Sequence, residues 1–64
     1  MSTIKADIHN RPNEGFTRKY VICSVVDGEL WYYGEDNDLT KVKRICRDQL
    51  VNKCYFEVLY EEDQ

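Results

Sequence analysis

The sequence predicts a single small α+β domain, in which one helix packs on one face of a mainly antiparallel sheet of three or four strands. Three observations predict this fold. Two runs rich in β-branched and aromatic residues are joined by Asp27-Gly28, which is a strong signal for a two-residue hairpin turn. Apolar residues then recur at helical spacing from Leu39 to Leu50. A final strand-like run begins at Cys54.

Length, charge and cysteine content narrow the class of protein. The chain has 64 residues, of which 42% are apolar, and a formal charge of −3. A chain this short buries only about 60% of its unfolded surface, so a partner would add useful stability. It has no run typical of a signal peptide or a membrane span, and its odd number of cysteines does not suit a disulfide framework. We therefore expect a cytoplasmic protein with reduced thiols.

The chain divides into three parts: an N-terminal arm and loop (1–15), a β-β-α-β body (16–61) and an acidic tail (62–64). In the arm, Ile4, Ala6 and Ile8 alternate with polar residues, and this period of two predicts a short extra strand at the edge of the sheet. The body is predicted to contain strands at Thr17–Val26, Glu29–Gly34 and Cys54–Glu61.

The predicted helix begins after an acidic N-cap, Asp36 or Asp38, and runs to about Asn52. Its apolar stripe consists of Leu39, Val42, Ile45, Cys46, Gln49 and Leu50. The helix connects the second and third strands of the body, and such a crossover is nearly always right-handed. Because the first strand is the only one that is apolar on both faces, we place it between the other two.

The two-residue turn sets the hairpin register, with Val26 opposite Glu29 and Ile22 opposite Tyr33. One side of the sheet, which we call the Val21 face, consists of Val21, Cys23, Val25, Leu30, Tyr32, Cys54, Phe56, Val58 and Tyr60. The opposite side includes a set that we call the aromatic face: Tyr20, Ile22, Trp31, Tyr33, Tyr55 and Leu59. The final strand contributes no charge to the Val21 face, so we predict that the helix covers that face.

One helix covers only one side of a small sheet, so the aromatic face is expected to lack a cover. Exposed aromatic patches of this kind usually mark an interaction surface. The sequence leaves three alternatives for what covers this face: the N-terminal arm with Ile4, Ile8 and Phe16, a second copy of the chain in a homodimer, or a different protein.

The outer half of the helix carries a group of basic residues, Lys41, Lys43, Arg44 and Arg47. A solvated helix surface that complements the helix dipole explains them. A contact with nucleic acid phosphates or with an acidic protein is the alternative. The overall negative charge and the pI near 5.0 argue against general nucleic-acid binding.

Several residues with chemical potential are better explained by structural roles. Cys23, Cys46 and Cys54 lack the paired spacing of a zinc site and are predicted to be core residues. His9, the only histidine, has no neighbouring nucleophile and is predicted to be solvated. The acidic run Glu35–Asp38 departs from the calcium-loop pattern and is predicted to cap the helix. We expect no catalytic residue, no metal and no cofactor.

The sequence therefore predicts a non-catalytic protein-interaction module that binds itself or another protein through the aromatic face. Nucleic-acid binding through the basic helix is the alternative. No small-molecule substrate or membrane contact is indicated. In its small size, acidic charge and simple fold with one surface patch, the chain is similar to small accessory proteins of bacteria and prophages, although no motif carries a family resemblance.

Overall fold

The computed structural model describes residues 1–48 and 52–60, which form a three-stranded sheet, a two-stranded sheet and one helix. The elements are β1 (Ser2–Thr3), β2 (Tyr20–Val26), β3 (Glu29–Asp36), α1 (Leu39–Arg47), β4 (Lys53–Glu57) and β5 (Leu59–Tyr60). Strand β2 lies between β3 and β4 and is antiparallel to both. The predicted fold class and strand order are confirmed.

The β2–β3 hairpin has the predicted tight turn. Asp27 and Gly28 have φ angles of 50° and 79°, so both central residues lie in the positive region that a type I′ turn requires. From this turn, pairing follows the predicted register as far as Cys23 opposite Tyr32.

Beyond Cys23 the predicted register is wrong. The pairing shifts between Ile22 and Cys23, so that Ile22 lies opposite Gly34 and not opposite Tyr33. Tyr33 is the extra residue of a β-bulge, which bends the strand and redirects a side chain. Turn chemistry sets only the start of a register, and nothing in the turn marks where a bulge will occur.

Helix α1 begins as predicted but ends earlier. Asp38 is the N-cap, and its Oδ1 accepts hydrogen bonds from the backbone N–H groups of Thr40 at 3.0 Å and Lys41 at 3.4 Å. The predicted end near Asn52 is wrong: Asp48 is extended, with ψ of 110°, and the helix stops at Arg47. The predicted stripe residues Gln49 and Leu50 lie outside the described residues.

Two predicted strand boundaries also change. The strand predicted to begin at Thr17 begins at Tyr20, because the side chains of Glu35 at the end of β3 and of Asn37 accept hydrogen bonds from the backbone N–H groups of residues 17–19. The last strand, predicted as 54–61, divides into β4 and β5 on either side of Val58. Glu61 lies outside the described residues.

The N-terminal arm forms less strand than predicted and packs more deeply. Only β1 is a strand, and it pairs with β5. The arm chain then crosses the sheet in an irregular path, yet Ile4 and Ile8 are 3% and 6% exposed. The alternation of apolar residues in the arm correctly predicted that these two side chains are buried, although the chain at this point is not a strand. An irregular chain can also direct every second or fourth residue toward the core.

The arm covers the Val21 face. Ile4, Ile8 and Phe16, which follows the arm, form one buried cluster with Val21 and Cys23. Both strand residues are fully buried. The prediction that the helix covers this face is wrong. Ile4, Ile8 and Phe16 do not cover the aromatic face, as one alternative expected, although His9 of the arm lies against Trp31. The absence of charge marked a buried face correctly but did not identify its cover.

The helix covers the centre of the opposite side of the sheet. Ile22 points away from Val21 and Cys23, because side chains alternate along a strand, and it is 2% exposed. Val42 is the buried residue of α1, and neither Val42 nor Ile22 belongs to the arm cluster. Since α1 contacts β2, β3 and β4, the helix packs on Ile22, and the aromatic face is partly covered.

Replacement of Phe16 tests whether the arm layer is part of the core. Phe16→Ala should cost about 3 to 5 kcal/mol, since it removes a large side chain from a packed cluster, and a domain this small should then unfold. Urea denaturation followed by circular dichroism measures the change. Val26→Ala is the control because Val26 is 51% exposed. A loss below about 1 kcal/mol for Phe16→Ala would contradict the assignment.

Replacement of Asp38 tests the helix cap. Asp38→Ala should lower the free energy of unfolding by about 1 kcal/mol, because two backbone N–H groups of α1 lose their acceptor. Asp38→Asn keeps an oxygen at the same position and should stay within a few tenths of a kcal/mol of the parent. Thermal or urea denaturation of the two variants provides the comparison, and equal stabilities would exclude the capping role.

Candidate interaction surfaces

The residues of the predicted aromatic face have separate environments. Ile22 is buried under the helix and is not available to a partner. Leu59 lies in β5, opposite Thr3 of β1. Tyr20 is half-buried, and its ring meets the ring of Tyr55 edge-on, with centroids 6.0 Å apart. The face is therefore not one continuous aromatic patch, since the helix occupies its middle.

Trp31 is partly covered by the arm. The ring of His9 lies against the indole, with centroids 4.5 Å apart, and His9 Nδ1 lies 3.5 Å from a carboxylate oxygen of Glu29. The indole Nε1 is buried without a hydrogen-bond partner among the described residues. His9 is exposed, as predicted, but it also screens a residue that the sequence assigned to a contact surface.

Tyr33 is the most exposed member of the predicted aromatic face, at 55%. The Lys53 ammonium lies 4.4 Å from its ring centroid, a cation–π contact that orients both side chains. These two residues share a shallow groove of about 220 Å³ with Arg44, Ile45 and Asp48 of the helix end. The bulge therefore places an exposed tyrosine directly beside basic side chains.

The basic residues predicted to lie outside the helix stripe do so. Lys41, Lys43, Arg44 and Arg47 are all exposed. Lys41 is partly neutralised, because its Nζ lies 3.4 Å from Asp36 Oδ2. Arg44 and Arg47 occupy the last turn, where positive charge complements the helix dipole.

Sequence reasoning missed a half-buried polar cluster between the arm and β3. The Arg11 guanidinium lies between two aromatic rings, 4.2 Å from the Phe16 centroid and 4.6 Å from that of Tyr32. Glu35 completes the cluster: its Oε2 accepts a 2.8 Å hydrogen bond from the Tyr32 hydroxyl and lies 3.9 Å from Arg11 Nη2. Phe16 follows Arg11 closely in the chain, but Tyr32 and Glu35 are distant in sequence, so only the fold reveals the arrangement.

Glu35 connects this cluster to the chain before β2. Its Oε1 accepts hydrogen bonds from the backbone N–H groups of Thr17 at 2.9 Å and Arg18 at 3.3 Å. Burial alone would raise the pKa of Glu35, but the hydrogen bonds from Thr17, Tyr32 and Arg18 outweigh it and hold the pKa below 4.5. For Tyr32, burial and the hydrogen bond to Glu35 raise the pKa above 10.0. The arrangement stabilises a carboxylate that holds the arm on the sheet.

The acidic run before the helix has more than the predicted capping role. Asp38 caps the helix, and Asp36 Oδ1 accepts the backbone N–H of Asp38 at 2.9 Å. Asn37 Oδ1 accepts the backbone N–H of Lys19 at 2.9 Å. The run therefore supplies acceptors to two segments at once, the helix start and the chain before β2.

The three cysteines are free thiols with low reactivity. Cys23 is buried and lies opposite Cys54, while Cys46 is half-buried on the helix. Burial, helped by the nearby Cys54 and Cys46, raises the pKa of Cys23 to about 11. Burial is also the main reason why the pKa values of Cys46 and Cys54 are raised. Protonated thiols are poor nucleophiles, which agrees with the predicted core role.

The two outer edges of the three-stranded sheet differ. At the β3 edge, Leu30 C=O accepts a 2.8 Å hydrogen bond from the backbone N–H of His9, and Tyr32 N–H donates to Asn10 Oδ1 at 3.1 Å. The arm therefore blocks this edge. No described residue makes a backbone hydrogen bond to the outer edge of β4, between Lys53 and Glu57.

Comparison with known protein families, curated proteins and solved structures found no match for this chain. Within residues 1–48 and 52–60, no three or more His, Cys, Asp or Glu side chains are arranged to hold a metal ion. Over the same ranges, no helix has the length and apolar character needed to cross a lipid bilayer.

The Glu35 cluster predicts a specific pH dependence. Because its folded-state pKa lies below 4.5, Glu35 contributes stability that is complete above pH 4.5 and is lost as the pH falls through the folded-state value. Glu35→Gln should therefore be less stable at neutral pH by about 1 to 3 kcal/mol, and this difference should shrink in acid. Urea denaturation at several pH values measures it.

Tyr32→Phe is the matched variant for this pH dependence. It removes one hydrogen-bond donor to Glu35 while keeping the ring beside Arg11, so its stability should fall between those of the parent and Glu35→Gln. If the difference between the parent and Glu35→Gln stays constant from neutral to acidic pH, the carboxylate charge does not stabilise the fold.

Proposed function

We propose that this chain is a non-catalytic protein-interaction module, and that it binds an acidic surface of another protein through Tyr33 and the basic residues of α1. The observation that carries the proposal is the exposure of Tyr33, 55% accessible in a groove that also contains Arg44 and Lys53. Tyrosine and arginine are residue types that dominate binding energy at protein interfaces.

The charge distribution supports an acidic partner. Lys43, Arg44 and Arg47 lie exposed on α1, and Lys53 adds a fourth cation beside Tyr33. The acidic run before the helix is used internally, in hydrogen bonds to the backbone and a contact with Lys41. These four cations therefore place positive charge on the helix and beside Tyr33, where it would complement a negatively charged patch.

A non-catalytic role is supported by the state of the candidate nucleophiles. All three thiols have raised pKa values, and the half-buried carboxylate of Glu35 accepts hydrogen bonds that hold the arm. Free cysteines are also typical of a reducing compartment, which supports the proposed cytoplasmic location. An origin as a small bacterial or prophage accessory protein stays a prediction.

One observation favours nucleic-acid binding as a second candidate. Lys41, Lys43, Arg44 and Arg47 are all exposed on one nine-residue helix, and such a row of charges is able to follow phosphates. The exposed carboxylates of Glu29 and Glu57 would oppose phosphates on the strands beneath. The acidic-protein proposal therefore accounts for more of the surface.

Titration with poly-L-glutamate and with a mixed-sequence DNA duplex tests both candidates. We expect poly-L-glutamate to shift the NMR signals of Tyr33 and Arg44, and Tyr33→Ala to weaken binding at least about tenfold. Tyr60→Ala is the control, because Tyr60 is 77% exposed but lies in β5. Equal binding by Tyr33→Ala would contradict the proposal, and tighter, steeply salt-dependent binding of the duplex would favour nucleic acid.

A further inference from the structure

The outer edge of β4 carries backbone hydrogen-bonding groups that no described residue uses. Val25 N–H donates to Asn52 C=O, and Val58 N–H donates to Lys19 C=O, each at 2.8 Å. Hydrogen-bonded pairs of an antiparallel ladder recur at every second residue, so Cys54 and Phe56 direct their N–H and C=O groups toward β2. The backbone groups of the three alternate residues therefore point outward, namely those of Lys53, Tyr55 and Glu57.

Such an edge is a template for another strand, and in this protein the other edge is blocked. The arm supplies His9 and Asn10 to the outer groups of β3, whereas no described residue does the same for β4. A charged residue at each end gives the open edge some protection from indiscriminate pairing, but the two charges have opposite sign.

We propose that β4 pairs antiparallel with β4 of a second copy of this chain, about a twofold axis at Tyr55. In this register Lys53 lies opposite Glu57 of the other copy at both ends of the strand, and the two Tyr55 residues lie opposite each other. All three pairs join residues whose backbone groups face outward, so each exchanges two hydrogen bonds. The two sheets become one continuous six-stranded sheet.

Charge complementarity selects this register. A twofold axis at Lys53 would set two ammonium groups opposite each other, and an axis at Glu57 would set two carboxylates opposite each other. Either axis would also shorten the length over which the two β4 strands pair. Opposite charges in directly opposed positions are favourable, and like charges are unfavourable. Only the axis at Tyr55 pairs unlike charges over all five residues of the strand.

The neighbouring strands limit the contact to β4. Beyond Val58 the chain enters β5, which is already paired with β1, so a second copy finds free backbone groups only as far as Glu57. The tyrosine at the centre is 36% exposed and supplies the aromatic pair. An interface this small is expected to be weak and concentration-dependent.

This inference concerns the β4 edge, which shares only Lys53 with the surface of the proposed function, and sedimentation equilibrium tests it. Over about 10 µM to 1 mM, we expect a reversible monomer–dimer equilibrium. Lys53→Glu and Glu57→Lys alone should each raise the dissociation constant about tenfold or more, because each sets like charges opposite each other. The double variant Lys53→Glu with Glu57→Lys should restore dimerisation. If the single variants were weaker only because the Lys53–Tyr33 contact is lost, the second substitution would not restore it.

The variant Tyr55→Pro tests the proposed β4–β4 dimer in a second way. The N–H that proline lacks points outward and has no partner among the described residues, so the fold should tolerate proline at this edge position, while the dimer should be lost. Circular dichroism checks the fold, and if this variant unfolds, the charge-reversal series decides alone. Tyr33→Ala should dimerise at least as tightly as the parent, because it frees Lys53 from the ring, and this separates the dimer edge from the proposed partner site.

A monomer at every concentration would overturn the proposal. So would single charge reversals that leave the dissociation constant unchanged, a double reversal that fails to restore it, or a folded Tyr55→Pro variant that still forms dimers.

Discussion

Val21, Ile22 and Cys23 are consecutive residues of one strand, and all three are buried, although Ile22 points to the opposite side of the sheet from its neighbours. A central strand that is apolar on both sides needs two covering layers, and a single nine-residue helix supplies only one. The N-terminal arm supplies the other through Ile4, Ile8 and Phe16. The remaining features of the molecule follow from this need for a second layer in a very short chain.

The arm is held by polar contacts because its own chain forms little regular structure. Arg11 lies between Phe16 and Tyr32, and the Glu35 carboxylate binds both the Tyr32 hydroxyl and the backbone after Phe16. On its way across the sheet, the arm also satisfies the outer groups of β3. Packing one face thus protects one edge, whereas within residues 1–48 and 52–60 nothing protects the outer edge of β4 in this way.

Local chemistry was readable from the sequence, whereas long-range placement was only partly so. The Asp27-Gly28 turn was predicted correctly, and the helix cap was predicted to be Asp36 or Asp38, of which Asp38 is the cap; both features depend on neighbouring residues. The bulge at Tyr33 and the Glu35 cluster depend on residues brought together by the fold, and no local pattern indicates them. The cover of the Val21 face was predicted wrongly, because its lack of charge was taken to indicate the helix. A face that is buried by an irregular arm also lacks charge, so this pattern does not distinguish the two covers.

The charge pattern of β4 was visible in the sequence, but its meaning required the topology. Lys53, Tyr55 and Glu57 alternate with apolar residues, as in any half-buried strand, until the ladder shows that their backbone groups face outward. Lys53 also lies over Tyr33, so in the proposed dimer the Tyr33 ring and the Glu57 carboxylate of the second copy would compete for one ammonium group. Since a flexible lysine reaches only one of them at close range, pairing at the edge would loosen Tyr33. Linkage then requires the reverse as well: a partner that draws Lys53 toward Tyr33 would weaken the edge contact by the same free energy.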